Sequence, residues 1–261
     1  MALTSRLAVI AGGIGGIGCA TGKALRSQGA ALALLYAPFE AQKVKATISE
    51  VYGGAKSINS YECDITSPNS VSSAFAAIAK HNVAFPSILV NAAGYVSLNA
   101  LEESPPDEIL SHYMINLFGP TLTGQAFARM FMRAKQEAKA DSVPGGRIVN
   151  IASQAAHVAL HHHGAYCASK AGLVGLTKCM ASEWGPKGIT ANSVSPGPVW
   201  TELGKKAWAD RKAREAYQAA VPTGNFAEPG EVARIVLFLC QDQALNINGT
   251  DITLDGGYTV R

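Results

Sequence analysis

The chain has 261 residues, 48% of them hydrophobic and 16% charged, with a formal net charge of +3 at pH 7. A chain of this size and composition buries a sizeable core and is not disordered, and its mild, scattered positive charge offers no basic run to nucleic acid. No apolar stretch approaches the ~18 residues of a membrane span, and the five dispersed cysteines (Cys19, Cys63, Cys167, Cys179 and Cys240) form no paired framework, which points to a reducing, cytoplasmic setting.

Arg6 precedes an apolar run at 7–11 that breaks at once into glycines, so it reads as a buried strand entering a turn rather than as a leader peptide. Further apolar runs at 31–36, 87–90, 147–152, 190–195 and 251–254 read as buried parallel strands, with a weaker one at 56–62. Helical patterns fall between them at 16–28, 40–52, 69–81, 106–117, 120–138, 164–184 and 229–241. This beat predicts an α/β fold, a doubly wound parallel sheet of about seven strands with helices on both faces, built by residues 1–261 as one domain. Residues 199–226 interrupt the alternation with a charged helical segment at 202–220, where a substrate lid would stand. Trp200 and Trp208 in that segment read as lid packing.

The first strand runs into Gly12-Gly13-Ile14-Gly15-Gly16-Ile17-Gly18. Glycines allow a sharp turn and close approach to a ligand, and the helix that follows aims free N–H groups and its positive dipole end at an anion. A glycine run between a strand and a helix predicts a pyrophosphate-binding turn, with contacts from Gly12, Ile14, Gly16 and Ile17. A carboxylate at the end of the second strand would accept from a ribose 2′-OH and repel a 2′-phosphate. Tyr36 occupies that position, followed by Ala37, Pro38 and Phe39, with no carboxylate before Glu40 and no arginine. NAD and NADP therefore both remain open, the missing carboxylate leaning toward NADP.

Tyr166 and Lys170 stand one turn apart on one face of the expected helix 164–184, and Ser153 lies thirteen positions before the tyrosine. A free phenol has a pKa of ~10 and needs a drop of ~2–3 units to work near neutrality; an ammonium ~4 Å away supplies about that much at an effective dielectric of ~20. The same separation recurs at Tyr52 and Lys56, where it is read as carrying no function.

Together these residues resemble the short-chain dehydrogenase/reductase family in its compact single-domain form, over nearly the whole chain. Gly12, Gly16 and Gly18 match its cofactor turn, although Ala11 stands where the family has threonine. Asp64 and Ile65 match the adenine contact after strand three, and Asn91, Ala92 and Gly94 the motif ending strand four. Pro196, Gly197, Val199 and Thr201 match the segment beside the nicotinamide, and Asp255-Gly256-Gly257 the C-terminal signature. Asn116, Ser153, Tyr166 and Lys170 match the catalytic tetrad.

The resemblance implies hydride transfer between a nicotinamide cofactor and a secondary alcohol or ketone. Tyr166 would exchange the proton, Lys170 would lower its pKa and hold the nicotinamide ribose, Ser153 would orient the carbonyl, and Asn116 would fix a water. No metal is implied. Consecutive His161, His162 and His163 point in alternating directions on a loop, and are read as lining an entrance rather than as ligands. The stretches after Ser153 and Val199 look like those of the family's polyol dehydrogenases, with Gln154, His157 and Glu202 joining Ser153 and Tyr166 around a hydroxyl-rich substrate. Family likeness also implies a homotetramer, with the small residues Ala168, Ala171, Gly172 and Gly175 of helix 164–184 partly in an interface. A 3-oxoacyl thioester reductase is a second reading, for which a basic carrier patch is expected and none is evident. A non-catalytic nicotinamide sensor is a third, with no reason to retain the four catalytic-type residues together.

Overall fold

The computed structural model describes residues 1–82, 84–138 and 143–260, apart from the side chains of Leu203, Lys206 and Ala207. The strands β1 (Arg6–Ala11), β2 (Ala31–Tyr36), β3 (Ile58–Glu62), β4 (Phe85–Asn91), β5 (Gly146–Ile151), β6 (Ile189–Pro196) and β7 (Asp251–Leu254) form a seven-stranded sheet in the order β3-β2-β1-β4-β5-β6-β7. All neighbouring pairs are parallel. The order changes direction between β1 and β4, and the crevice beyond the strand ends at such a switch point is where a doubly wound sheet takes its ligand.

The helices are α1 (Gly16–Ser27), α2 (Val44–Glu50), α3 (Pro68–His81), α4 (Pro106–Tyr113), α5 (Gly119–Ala138), α6 (Gly164–Trp184), α7 (Glu202–Ala207), α8 (Arg211–Ala220) and α9 (Pro229–Cys240). Successive residues of a strand face opposite ways, so β1 sends Ile10 to one layer and Val9 to the other. On the first face Leu25 of α1 and Val232, Val236 and Leu239 of α9 pack with Ile10, Leu34 and Val194. On the second, Phe75 and Ile78 of α3, Phe127 and Phe131 of α5 and Met180 of α6 pack with Val9, Leu89 and Ile148. Among the described residues no helix is long and apolar enough to cross a membrane.

Three elements differ from the sequence expectation. Helices 106–117 and 120–138 are one run, joined by a wide π turn at Met114–Phe118. Pro120 has no N–H to offer the carbonyl four residues back, and its ring crowds that carbonyl. The wide turn absorbs the clash, and the residue four back is Asn116. The helix expected at 40–52 opens instead as a 3-10 turn, Pro38–Lys43, and becomes α-helical only at Val44. The lid helix expected at 202–220 is two helices, the second begun by Asp210, which accepts from the Ala213 amide at 2.7 Å.

Candidate active site

The glycine turn sits against the ends of β2 and β4. The Gly12 and Gly13 amides both donate to the Leu35 carbonyl at 3.1 Å. Gly12 has φ +76°, and a Cβ there would stand 2.7 Å from the Ala93 nitrogen, so the position demands glycine on both counts. A Cβ on Gly16 would meet Thr201 Cγ2 at 2.5 Å, so the segment after β6 closes over the first turn of α1. Gly15 at the N-cap brings no side-chain acceptor to that turn, whose first amides lack intrahelical partners. A close-approach cradle with open N–H donors fits the pyrophosphate of a nicotinamide dinucleotide.

Other expected cofactor contacts lie at or just beyond the C-terminal ends of the strands. The Asp64 carboxylate accepts from the Thr66 amide and hydroxyl at 2.9 and 2.7 Å, fixing the chain beyond β3. Ile65 presses on Gly119. Asn91 at the end of β4 donates to Asn150 Oδ1 at 2.8 Å and accepts from the Thr123 hydroxyl at 2.7 Å. Val199 bridges to Ala227, and Gly197 donates to the Leu254 carbonyl at 2.9 Å. Thr201 accepts from the Gly204 amide at 3.0 Å, which holds the start of α7 beside the turn.

At the ends of β4 and β5 the catalytic-type residues come together. Lys170, 4% exposed, donates from Nζ to the Ile151 carbonyl at 2.8 Å and stands 5.7 Å from the centroid of the Tyr166 ring. Ser153 is a hydrogen-bond partner of the Tyr166 phenol. A methyl at Gly94 would lie 3.6 Å from Asn116 Oδ1 and 3.7 Å from Lys170 Nζ, so both groups border one small space. Asn116 is fully buried. Its Oδ1 accepts from the Tyr95 amide at 2.8 Å, and its Nδ2 donates to the Tyr95 carbonyl at 2.9 Å and the Ser169 hydroxyl at 3.0 Å. Both amide hydrogens are thus used, which leaves one Oδ1 lone pair for any water.

The electrostatics run opposite to the sequence expectation. Burial pushes the Tyr166 phenol above its ordinary pKa, and the bond with Ser153 only partly offsets this. Burial also pushes Lys170 down to about 8. In this state burial outweighs any acidification of Tyr166 by its neighbours.

Among the expected substrate contacts, Gln154 and His157 bond to residues distant in the chain, and Glu202 pairs within α7. Gln154, 2% exposed, donates from Nε2 to the Tyr217 hydroxyl at 2.5 Å, which ties α8 to the residue after Ser153. His157 Nε2 instead meets the Asp251 carboxylate at 2.7 Å on β7, and Glu202 pairs with Lys205 at 2.8 Å on the surface. Trp208 packs on Tyr217 and Phe226 with centroids 4.8 and 5.2 Å apart, and Trp200 on Phe226 at 5.7 Å, so both tryptophans pack within segment 199–226. His163 turns its ring edge to Tyr166 at 6.0 Å. Among the described residues no group of three or more His, Cys, Asp or Glu is arranged to hold a metal.

Two neighbours of the site escaped the sequence reading. Tyr217 had no local signal, because its partner is distant in the chain. His112, 3% exposed, sets its ring 6.2 Å from that of Tyr166. It accepts at Nε2 from the Ser97 amide at 3.1 Å and donates from Nδ1 to the Glu108 carbonyl at 2.7 Å, so its bonds fix one tautomer. Its placement one turn before Asn116 on a helix was the available clue.

A family model described as Enoyl-(Acyl carrier protein) reductase matches residues 12–259. A D-threitol dehydrogenase of Mycolicibacterium smegmatis is 39% identical over 99% of this chain and 95% of that protein. The chain belongs to the short-chain dehydrogenase/reductase family. It is an NAD(P)-dependent oxidoreductase. A second relative, an NAD-dependent glycerol dehydrogenase of Listeria innocua, is 36% identical over 99% of this chain and 96% of that protein. A solved short-chain dehydrogenase/reductase from Serratia marcescens superposes with a TM-score of 0.86 at 31% identity, covering 99% of this chain and all of that one.

Proposed function

We propose that this short-chain dehydrogenase interconverts a short polyol and its ketose, with Asn116, Ser153, Tyr166 and Lys170 as the catalytic group. The observation that carries the reading is the Tyr166 phenol in hydrogen-bond reach of Ser153, with the Lys170 ammonium over its ring. When bound, the nicotinamide supplies the hydride acceptor in oxidation and the donor in reduction. Tyr166 takes the alcohol proton in one direction and returns it in the other. Ser153 holds the reacting oxygen by hydrogen bonding. Lys170 holds the ribose, and Asn116 clamps the Tyr95 backbone that walls the space beside Lys170. Gln154 borders the substrate, and the His163 ring, 6.0 Å from that of Tyr166, stands at its entrance.

The named activities of the relatives support a polyol rather than an acyl thioester. A panel of glycerol, threitol, arabinitol and xylitol with NAD⁺ and NADP⁺, run beside an acyl thioester with the reduced cofactors, tests the reading. Turnover on a polyol, abolished in Tyr166→Phe, is the expected result. Turnover confined to thioesters would overturn the substrate class, and full activity in Tyr166→Phe would overturn the catalytic assignment. A homotetramer in the cytoplasm completes the proposal. It is supported by the exposed small face of α6, where Ala168, Ala171 and Gly175 leave room for a close neighbour, by exposed Leu110, Tyr113 and Phe118 along α4 and the π turn, and by five free cysteines.

A further inference from the structure

We propose that His112 is a positioning residue for the substrate, holding the part of the active-site wall that lies beyond the reach of Asn116. The inference rests on the reading of Tyr166 as the group that exchanges the proton. Between Ala93 and Leu98 the chain has left β4 and belongs to no strand or helix. Among the described residues, its backbone hydrogen bonds there run to two side chains of the helix run that follows. Asn116 takes Tyr95 by both its amide and its carbonyl, and His112, one turn earlier, takes the Ser97 amide at 3.1 Å. The segment passes from one side of the site to the other over this span. Gly94 borders Lys170, whereas Ser97 hangs on a ring in contact with that of Tyr166, the centroids 6.2 Å apart.

The chemistry of the histidine suits that grip. It is the residue α4 buries, and a polar group taken out of water is costly unless its hydrogen bonds are made. Both ring nitrogens are engaged. Nδ1 donates to the Glu108 carbonyl at 2.7 Å, which leaves Nε2 as the acceptor that the Ser97 amide requires. An imidazole tied at both nitrogens is fixed in rotation, and the ring also meets Tyr95 edge-on, with centroids 4.9 Å apart. The two side chains therefore divide the segment. Asn116 fixes the residue nearest Lys170 and the expected ribose. His112 fixes the residues that follow, on the Tyr166 side, where the carbon chain of the substrate would lie. Releasing the second grip leaves the first in place.

His112→Gln and His112→Asn separate this role from plain packing. Glutamine is long enough to offer an oxygen where Nε2 stands, whereas asparagine is shorter and replaces only the Nδ1 donor. Each keeps one of the two bonds, so similar thermal melts are expected of both. On the best substrate of the panel above, His112→Gln is expected to keep kcat/KM within about threefold of wild type. His112→Asn is expected to lose about tenfold, carried by KM, while the calorimetric Kd of the preferred dinucleotide stays unchanged in both. Equal losses in the two variants, no loss in His112→Asn, or a loss that appears in the dinucleotide Kd overturns the proposal. Tyr166→Phe, measured beside them, keeps the two layers apart. Full activity there overturns the reading of Tyr166 and the inference with it, whereas an inactive Tyr166→Phe beside a fully active His112→Asn overturns the inference alone. A wild type that turns over nothing in the panel overturns both.

Discussion

The Tyr52 hydroxyl reaches across α1 and donates to the carbonyl of Gly13 at 2.7 Å. Tyr52 is 5% exposed, and a Cβ on Gly22 would strike its ring carbon Cε1 at 2.8 Å, so only a glycine there lets the ring pass. In a trans peptide the carbonyl and the following N–H point opposite ways. Holding Gly13 by its oxygen therefore aims the Ile14 amide at the open side of the turn. Burial raises the Tyr52 phenol well above its ordinary pKa, so it stays a donor throughout the working range. Tyr52→Phe is expected to weaken ADP-ribose binding by about fivefold, the worth of one hydrogen bond, with kcat at saturating cofactor within about twofold of wild type. Calorimetry with ADP-ribose and steady-state kinetics check both halves.

Lys170 gives a signed pH dependence. Its folded pKa is about 8 against 10.5 for the unassociated side chain. Between those values the unfolded chain holds a proton that the folded chain has released, so this group makes stability rise with pH through the window. The total is on the order of 3 kcal/mol. Lys170→Met removes the titration, so its advantage over wild type at pH 7 shrinks by that amount toward pH 10.5 in denaturant melts. The same variant is expected to lose at least ~100-fold in kcat/KM on a polyol.

The Gln154–Tyr217 bond ties α8 to the residue after Ser153, as a latch on the proposed lid would. Tyr217→Phe removes the hydroxyl that receives the Gln154 amide but keeps the ring stacked 4.9 Å from Tyr258. KM for a polyol is expected to rise by about fivefold with kcat less affected, since the lid closes less firmly over substrate. Limited trypsin digestion should cut faster at the exposed Arg211 and Lys212 of α8.

At the opposite end of the sheet Asp242 accepts from Arg6 at 2.6 Å and from Arg147 at 3.2 Å, both guanidiniums being buried. Asp242→Asn strips the shared counter-charge from two arginines and should cost about 2 kcal/mol, less than a fully buried pair would because Asp242 itself is exposed. The hydrogen bond from Arg6, reinforced by the charges of both arginines, holds the Asp242 carboxyl below its ordinary pKa. Its stabilisation is present above the unfolded value of 3.8 and disappears as pH falls through the lower folded one. Wild type should therefore lose its margin over Asp242→Asn on acidification, read by chemical denaturation from pH 7 downward.

The sheet and its helices were legible because their signals are local: buried runs of strand length, glycines after β1, and apolar helical faces. The helical spacing of Tyr166 and Lys170 was legible for the same reason. Their pKa values were not, because desolvation depends on what the rest of the chain packs around them. The spacing of Tyr52 to Lys56 carried nothing, and the contact of Tyr52 with Gly13 across α1 had no local signal. Gln154 was picked out beside Ser153, but its partner Tyr217 lies 63 residues away and no pattern links the two. His157 and Glu202 were grouped with the site by nearness in sequence; the bond of His157 to Asp251, 94 residues on, had no such signal.

The wide turn at Met114–Phe118 sets the rotational phase of everything downstream in α5. Deleting one residue from it would restore a regular spiral yet swing the following 20-residue helix by about 100°. Thr123 would then leave Asn91, and Phe127 and Phe131 would swing out from beneath the sheet. Insertions and deletions, harmless in many surface loops, are therefore expected to abolish folding here.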